Sequence, residues 1–146
     1  MSEPFAVAND AALARLRHEL SHPPFHALLA LDAVSVDAAA GEVVVRLPYS
    51  PTLRRANDSD DIHGGVLAAL IDITAHAAVA VQTGRMAPTV DLRIDYLRPA
   101  PGVALFATGR TLRVGRAIAR VDVEIRTGES TVVAVGRGTF STLARA

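Results

Sequence analysis

The chain has 146 residues, half of them hydrophobic, which is enough for one domain with a sizeable core. Fifteen basic and fifteen acidic residues give a formal net charge of zero, which argues against a general electrostatic surface for nucleic acids or membranes. Cysteine is absent, which excludes disulfides, thiolate catalysis and Cys-ligated zinc. Without a signal-peptide pattern at the N-terminus, we predict one cytoplasmic domain over residues 1–146.

Residues 1–24 are predicted to form a helical appendage on this domain. Asn9 or Asp10 can cap a short helix that ends before Pro23 and Pro24. Its apolar positions at helical spacing are Leu13, Leu16 and Leu20. Histidines at a spacing of four, namely His18, His22 and His26, would suggest a metal site on a continuous helix. Because the two prolines break that helix, we expect no metal there.

Two strands are predicted next, over 30–37 and 42–47, joined at residues 39–41. The connector over 49–62 is a long polar loop, and we interpret its acidic cluster, Asp58, Asp60 and Asp61, as solvated surface residues. A loop that leads into a buried helix is a natural place for binding residues.

The stretch from His63 to Gln82 is apolar almost all round, which is typical of a helix buried on every side. Asp72 is its only acidic residue, and an ionised carboxylate in an apolar interior costs several kcal/mol unless it is paired or lies at a wet cleft. At about 100° per residue, one helix face carries Asp72 together with small residues. The members of this face are Gly65, Ala69, Asp72 and His76. The face is a candidate ligand groove.

The predicted start of this helix has a second chemical feature, the unpaired backbone N–H groups of Gly64 and Gly65. At the positive end of the helix dipole they can donate to an anion or a polarised carbonyl. Asp72 lies about 10 to 13 Å further along the axis, so one small reacting group cannot touch both within a chain. Two copies crossing antiparallel about a two-fold axis would give composite sites.

The remaining chain predicts an antiparallel meander of four strands that wraps the helix. Val90, Leu92, Ile94 and Tyr96 alternate with polar residues, as in a half-buried strand. Further strands are predicted over 103–112, 117–126 and 131–140, with turns over 113–116 and 127–130.

Two separated motifs resemble those of one known family. The first is His63-Gly64-Gly65 with Asp72 nine residues after the histidine, and the second is TVDLRIDYLRPA over 89–100. Together they resemble the hotdog-fold acyl-CoA thioesterases of the phenylacetic-acid-degradation (PaaI-like) type, over roughly residues 25–141. The resemblance implies an α+β hotdog fold, an antiparallel sheet around a long central helix. It also implies an enzyme that hydrolyses acyl-CoA to free CoA and a carboxylic acid, as a homodimer or a dimer of dimers.

Roles for individual residues follow from the same resemblance. Asp72 would be the nucleophile or general base, and the N–H of Gly65, with that of Gly64, would polarise the thioester carbonyl. Asn57 and Thr89 occupy the positions of the residues that help to position water. Thr89 keeps the hydroxyl of the Ser that is frequent in relatives and adds a methyl group.

Four further residues complete the predicted site. His63 either orients the Gly64-Gly65 turn by a backbone hydrogen bond or transfers a proton, and we favour the first role. His76 is a partner of Asp72 beside the substrate or a core histidine. Arg113 and Arg116 are predicted to flank a turn and to hold the CoA phosphates. No metal and no resident cofactor are expected, since CoA is part of the substrate.

Two alternatives remain open at this stage. Asp58, Asp60 and His63 approximate the Asp-x-Asn-x-x-His arrangement of hotdog hydratases, which would make Asp72 dispensable. A protein that binds acyl-CoA without turnover would need the same groove, but it would not need Asp72, Asn57 and Thr89 together.

Overall fold

The structure is a computed structural model that describes residues 4–144. Its helices are α1 (Pro4–Ser21), α2 (Pro24–Leu28) and α3 (Gly64–Thr83). Its strands are β1 (Asp32–Asp37), β2 (Glu42–Leu47), β3 (Arg54–Ala56), β4 (Ser59–Ile62), β5 (Thr89–Tyr96), β6 (Leu105–Val114), β7 (Ile118–Thr127) and β8 (Val132–Ser141).

Six strands form one antiparallel sheet in the order β1-β2-β6-β7-β8-β5, and α3 packs against its inner face. The alternation of apolar and polar residues along each strand places the apolar side chains inward and leaves the outer face charged. This architecture confirms the predicted α+β class, a long helix wrapped by an antiparallel sheet. Strand β5 is an edge strand and is bonded on one side to β8.

Two glycines on the inner face let α3 approach the sheet closely. A Cβ atom at Gly109 would lie 3.0 Å from the backbone oxygen of Thr74, and one at Gly136 would lie 2.6 Å from Cγ2 of Ile71. The buried side of α3 therefore rests almost directly on the backbone of β6 and β8. Gly84 ends the helix in the left-handed conformation, with φ of 68°.

The prediction that α3 is buried on every side is wrong for the single chain. Ten of its residues are buried against the sheet and α1, but one face stays partly exposed. That face consists of Gly65, Ala68, Ala69, Asp72 and His76. The helix has the length and hydropathy of a membrane-spanning segment, but more than half of that stretch is buried within the domain. It is a core helix whose open side coincides with the predicted groove.

The N-terminal helix starts at Pro4, so the prediction of a start at Asn9 or Asp10 is wrong. The side chain of Asn9 does not cap the helix. Its Oδ1 accepts a hydrogen bond from the N–H of Ala38 at 3.2 Å, in the turn between β1 and β2. Helix α1 packs on α3 through the fully buried Leu16 and Leu20.

The connector before α3 is more ordered than the predicted surface loop. After a short 3-10 turn over Pro51–Leu53, strands β3 and β4 form a small antiparallel hairpin. The sequence prediction missed these strands because their residues are mostly charged and only one of them, Ile62, is buried.

The later strands lie one or two residues from their predicted bounds. Arg113 is in β6 rather than in a turn, and the turn comprises residues 115–117. A bulge between Thr89 and Asp91 turns Val90 outward, where it is 62% exposed, so the regular alternation predicted from Val90 is wrong at its first residue.

Candidate active site

Asp72 is the only acidic residue of α3, and it lies at the middle of the open face. The hydroxyl of Thr89 donates a hydrogen bond to Oδ1 of Asp72 at 2.7 Å. Thr89 is the first residue of β5, and the bulge that follows it lets its side chain turn inward to the helix. This leaves Oδ2 of Asp72 without a hydrogen-bond partner within residues 4–144.

The start of α3 offers one free backbone donor. His63 is the N-cap, and its Nδ1 accepts a hydrogen bond from the N–H of Gly65 at 2.8 Å. The N–H of Val66 donates to the carbonyl of His63 at 2.9 Å. Within the described part of the chain, the N–H of Gly64 has no acceptor. Gly64, more than Gly65, therefore presents the donor that a ligand could use.

Tyr96, at the far end of β5 from Thr89, covers the helix start. Its hydroxyl donates to the carbonyl of Gly64 at 2.9 Å, and a Cβ at position 64 would lie 3.3 Å from its ring. A pocket of about 340 Å³ opens here between Gly64, Tyr96, Arg55 and Arg98. The sequence motif over 89–100 contained Tyr96, but nothing in its spacing indicated contact with the glycine.

The helix start and Asp72 do not meet within one chain. Eight residues of helix separate Gly64 from Asp72, or about 12 Å along the axis. Both lie on the open face, at opposite ends of β5, which is itself an edge strand.

Asn57 and Asp58 form the tip of the β3–β4 hairpin, and both are exposed. No hydrogen bond within residues 4–144 joins Asn57 to Asp72 or Thr89; its carbonyl accepts from Arg54 at 3.3 Å. Asp58 is five extended residues from His63, or about 16 Å. A single chain therefore does not assemble the Asp58–His63 pair of the hydratase alternative.

His76 lies one helical turn beyond Asp72 and is largely buried. Its Nε2 accepts a hydrogen bond from the backbone N–H of Ala87 at 3.2 Å, and its Nδ1 faces the carboxylate of Glu19 at 3.6 Å. Burial lowers the pKa of His76 below its usual value, although the charges of Glu19 and Asp72 act in the opposite direction. The ring is therefore neutral at pH 7. Sequence analysis did not single out Glu19, which is only 7% exposed.

Arg113 and Arg116 are exposed at the β6–β7 hairpin, and no acidic partner within residues 4–144 pairs with either side chain. Arg113 pairs with Arg120 of β7 in the register. Ala119 of β7 pairs with Phe140 of β8, which pairs with Thr89, so Thr89 lies two strands, or roughly 10 Å, from the β7 side of this hairpin. The hairpin is thus at the Asp72 end of the sheet.

A second surface groove, of about 770 Å³, lies elsewhere, on the outer face of the sheet. Its charged residues are paired with one another, as in the double hydrogen bond from Arg137 to Asp122 at 2.6 and 2.9 Å. Because Arg137 holds the carboxylate in its charged form, the pKa of Asp122 is lowered. These paired charges keep the outer face in contact with water, and among the described residues of this groove they leave no unpaired charged side chain for catalysis.

Comparison with known proteins identifies the family. A sequence profile described as the thioesterase superfamily matches residues 60–134, just over half of the chain. A protein of Halobacterium salinarum named as a candidate esterase is 37% identical in an alignment of 127 positions that covers 79% of this chain and 83% of that protein. YigI of Salmonella typhimurium, named a medium/long-chain acyl-CoA thioesterase, is 27% identical over 82% of this chain and 85% of its own.

A solved structure agrees with this relationship. The PaaI protein from the phenylacetic acid degradation operon of E. coli superposes with a TM-score of 0.82 and 25% identity, covering 94% of this chain and 96% of its own. The chain belongs to the thioesterase superfamily and has its hotdog fold. It is a thioester hydrolase, which confirms the enzyme class and the family expected from the two sequence motifs.

Proposed function

We propose that the protein hydrolyses acyl-CoA thioesters in composite sites, each made of Asp72 and Thr89 from one chain and the start of α3 from a second copy. The observation that carries this proposal is the open face of α3, where a carboxylate bonded by Thr89 and an unpartnered N–H of Gly64 lie about 12 Å apart. An antiparallel pair of α3 helices brings the two groups together twice.

In such a site Asp72 activates water or attacks the thioester carbonyl itself. Thr89 fixes Oδ1, so that Oδ2 is the atom free to accept the proton of water or to bond to the carbonyl carbon. Either route breaks the C–S bond, consumes one water and releases a carboxylic acid and the CoA thiol. Asn57, at the tip of the exposed hairpin, would reach this water only from a second copy.

The partner's helix start supplies the second requirement, stabilisation of the oxyanion. The N–H of Gly64 is free. The N–H of Gly65, which donates to Nδ1 of His63, can at the same time donate to the oxyanion of the substrate. Tyr96 donates to the carbonyl of Gly64, which belongs to the Gly64–Gly65 peptide, and thereby fixes the orientation of the Gly65 N–H. Because the N–H of Gly64 is the free donor, we assign the main oxyanion contact to Gly64 and the orienting role to His63.

Substrate, location and assembly extend this proposal. The relative YigI is named for medium- and long-chain acyl-CoA, which supports CoA as the thiol. Arg113 and Arg116 are proposed to hold its phosphates, and the reaction needs no resident metal or cofactor. We further propose a cytoplasmic homodimer, or a dimer of dimers, paired through β5. The exposed Val90 and Tyr96 of this strand, with Leu97 directly after it, give the edge an apolar surface.

The hydratase alternative is weaker because its Asp58 lies at the exposed hairpin tip, about 16 Å from His63. A binder without turnover would not need the hydrogen bond between Thr89 and Asp72.

Thiol release from aryl, short-chain, medium-chain and long-chain acyl-CoA tests the function directly. The site is tested with Gly64→Pro and its matched control Gly64→Ala. Position 64 is the first residue of α3, where proline fits, and His63 before it has the extended backbone that proline requires. Both variants add a Cβ beside Tyr96, but only proline removes the N–H.

We expect a folded Gly64→Pro enzyme with a kcat about a hundredfold lower, and a much smaller loss for Gly64→Ala. Equal activity of the two variants would remove this N–H from the mechanism. Absence of thiol release from every acyl-CoA by the wild-type protein would favour the non-catalytic binder.

A further inference from the structure

Two parallel hydrogen bonds attach the chain before β5 to helix α3. Thr89 Oγ1 donates to Asp72 at 2.7 Å, and the N–H of Ala87 donates to Nε2 of His76 at 3.2 Å. Asp72 and His76 are separated by one helical turn of about 6 Å. Ala87 and Thr89 are separated by about 6.6 Å of extended chain. The two spacings match, so the bonds act as a pair that fixes both ends of the segment 87–89.

The second bond requires one tautomer of His76. Because Nε2 accepts the N–H of Ala87, the ring proton must be on Nδ1. Nδ1 is buried and has no hydrogen-bond partner within residues 4–144, but it faces Oε2 of Glu19 at 3.6 Å. A carboxylate on that side favours a proton on Nδ1, which leaves Nε2 as the acceptor.

Glu19 is itself held in place by α1. Its Oε1 forms an ion pair with Arg15 at 2.7 Å, and Arg15 also donates to the carbonyl of Gly84 at 3.1 Å, at the end of α3. A carboxylate that is 7% exposed costs free energy relative to an apolar residue of similar size. Stability alone therefore does not explain the buried charge of Glu19. This charge lies beside His76, the histidine that holds the segment leading to Thr89.

We propose that His76 and Glu19 are positioning residues that hold the hydroxyl of Thr89 on Asp72 during catalysis. This inference rests on the proposed function, since it takes Asp72 to be the reacting carboxylate. Ser141 still donates to the carbonyl of Pro88, and Arg85 to that of Thr142, so loss of the bond to Ala87 loosens this segment without releasing it. The hydroxyl of Thr89 then spends less time on Oδ1 of Asp72. Because the side chains of His76 and Glu19 are only 15% and 9% exposed, we expect the substrate to bind without them, so that turnover changes and binding does not.

A double-mutant cycle tests this route. His76→Leu removes the acceptor and should lower kcat about tenfold, with KM changed by less than about twofold. His76→Gln, whose amide oxygen can accept the N–H of Ala87, should restore most of kcat. In a Thr89→Ala background His76→Leu should cause no further loss. Additive losses, a wild-type kcat in folded His76→Leu, or an effect confined to KM would overturn the proposal.

A second arm does not depend on activity. The ¹⁵N shifts of the His76 ring should report the Nδ1–H tautomer at pH 7, and amide exchange of Ala87 should be slow. Glu19→Gln should lower the population of the Nδ1–H tautomer, speed amide exchange of Ala87 and lower kcat about threefold. In a Thr89→Ala background Glu19→Gln should cause no further loss of kcat. Glu42→Gln, which removes a carboxylate paired with Arg110 on the outer face, is the matched control and should change none of these. An Nε2–H tautomer would overturn the proposal.

Asp72→Asn separates this inference from the function on which it rests. If Asp72→Asn is inactive while His76 and Thr89 act additively, the proposed function stands and the inference fails. If Asp72→Asn is fully active, the proposed function fails, and the inference fails with it even where the tautomer and the Ala87 amide behave as expected. If His76→Leu does not fold, the double-mutant cycle is made with Glu19→Gln and Thr89→Ala instead.

Discussion

The two faces of helix α3 are made of similar residues but meet different surroundings. On the packed face, Ala78 and Ile71 lie against the sheet with no exposed surface. On the opposite face, Ala69 and Asp72 are partly exposed. Small residues serve close packing on one side, where glycines of the sheet meet the helix, and leave room for a ligand on the other. The face of α3 on which an alanine lies therefore decides whether it serves packing or leaves room for a ligand.

The largest effect expected from this comparison is the loss of folding on the packed face. Ala78→Asp buries an unpaired carboxylate at a position with no exposure, at a cost of several kcal/mol, comparable to the whole stability of a domain. Ala69→Asp is the matched control on the opposite side of the helix. We expect the first variant to be unfolded by circular dichroism and the second to be folded and inactive. Similar stability of the two would mean that the faces do not differ.

The next effect is on turnover at the open face. Asp72→Asn should keep the fold and lower the kcat of thioester hydrolysis about a hundredfold or more. Asp58→Asn, at the exposed tip of the β3–β4 hairpin, should be almost silent. The reverse ranking in the thiol-release assay would support the hydratase alternative.

Sequence could predict the side of α3 on which the chemistry lies, but not the contacts that support it. Asp72 stands out because it is the only acid in an apolar stretch, and the family motif connects it to Thr89. Glu19 gives no such signal, because nothing local distinguishes it from a solvated glutamate on an amphipathic helix. Its burial depends on how α1 packs across α3, which is a tertiary property.

The same reasoning explains the other differences at the site. The N–H of Gly65 was expected to bind the oxyanion, since the motif places it there. The structure shows that His63 occupies this donor, a choice that depends on a side-chain rotamer. The β3–β4 hairpin was missed because charged strands carry no apolar alternation.

Mixed dimers test whether the open face is completed by a second copy. Gly64→Pro and Asp72→Asn are each expected to lower kcat about a hundredfold, but a dimer containing one of each has one site with both intact elements. Random pairing makes half of the dimers mixed, so about a quarter of wild-type activity should return on co-expression. Mixed dimers that form from folded chains and stay inactive would place the whole site within one chain.

A smaller effect is expected on the stability of the fold at acid pH, through His76 at the boundary of the two faces. Burial lowers the pKa of His76 in the folded protein, so between that pKa and about 6.5 the unfolded chain binds a proton that the native chain does not. The contribution of His76 to the free energy of unfolding is therefore fully present above about pH 6.5. It falls on acidification by at most about 1.4 kcal/mol per pH unit. His76→Gln should flatten thermal midpoints between pH 4.5 and 7, and a profile equally steep in both proteins would contradict this.

The smallest effect expected is on binding of the nucleotide end of the substrate. Arg116 is exposed in the β6–β7 turn at the Asp72 end of the sheet, and a single exposed guanidinium contributes modestly to holding a phosphate. Arg116→Ala should raise KM for an acyl-CoA a few-fold, leave kcat unchanged and leave KM for the matching acyl-pantetheine unchanged, because only CoA carries the nucleotide phosphates. Arg17→Ala, an exposed arginine on α1, is the control and should affect neither substrate. An equal rise in KM for both thioesters would mean that Arg116 acts on the fold or the acyl group, and that the nucleotide of the substrate binds away from the β6–β7 turn.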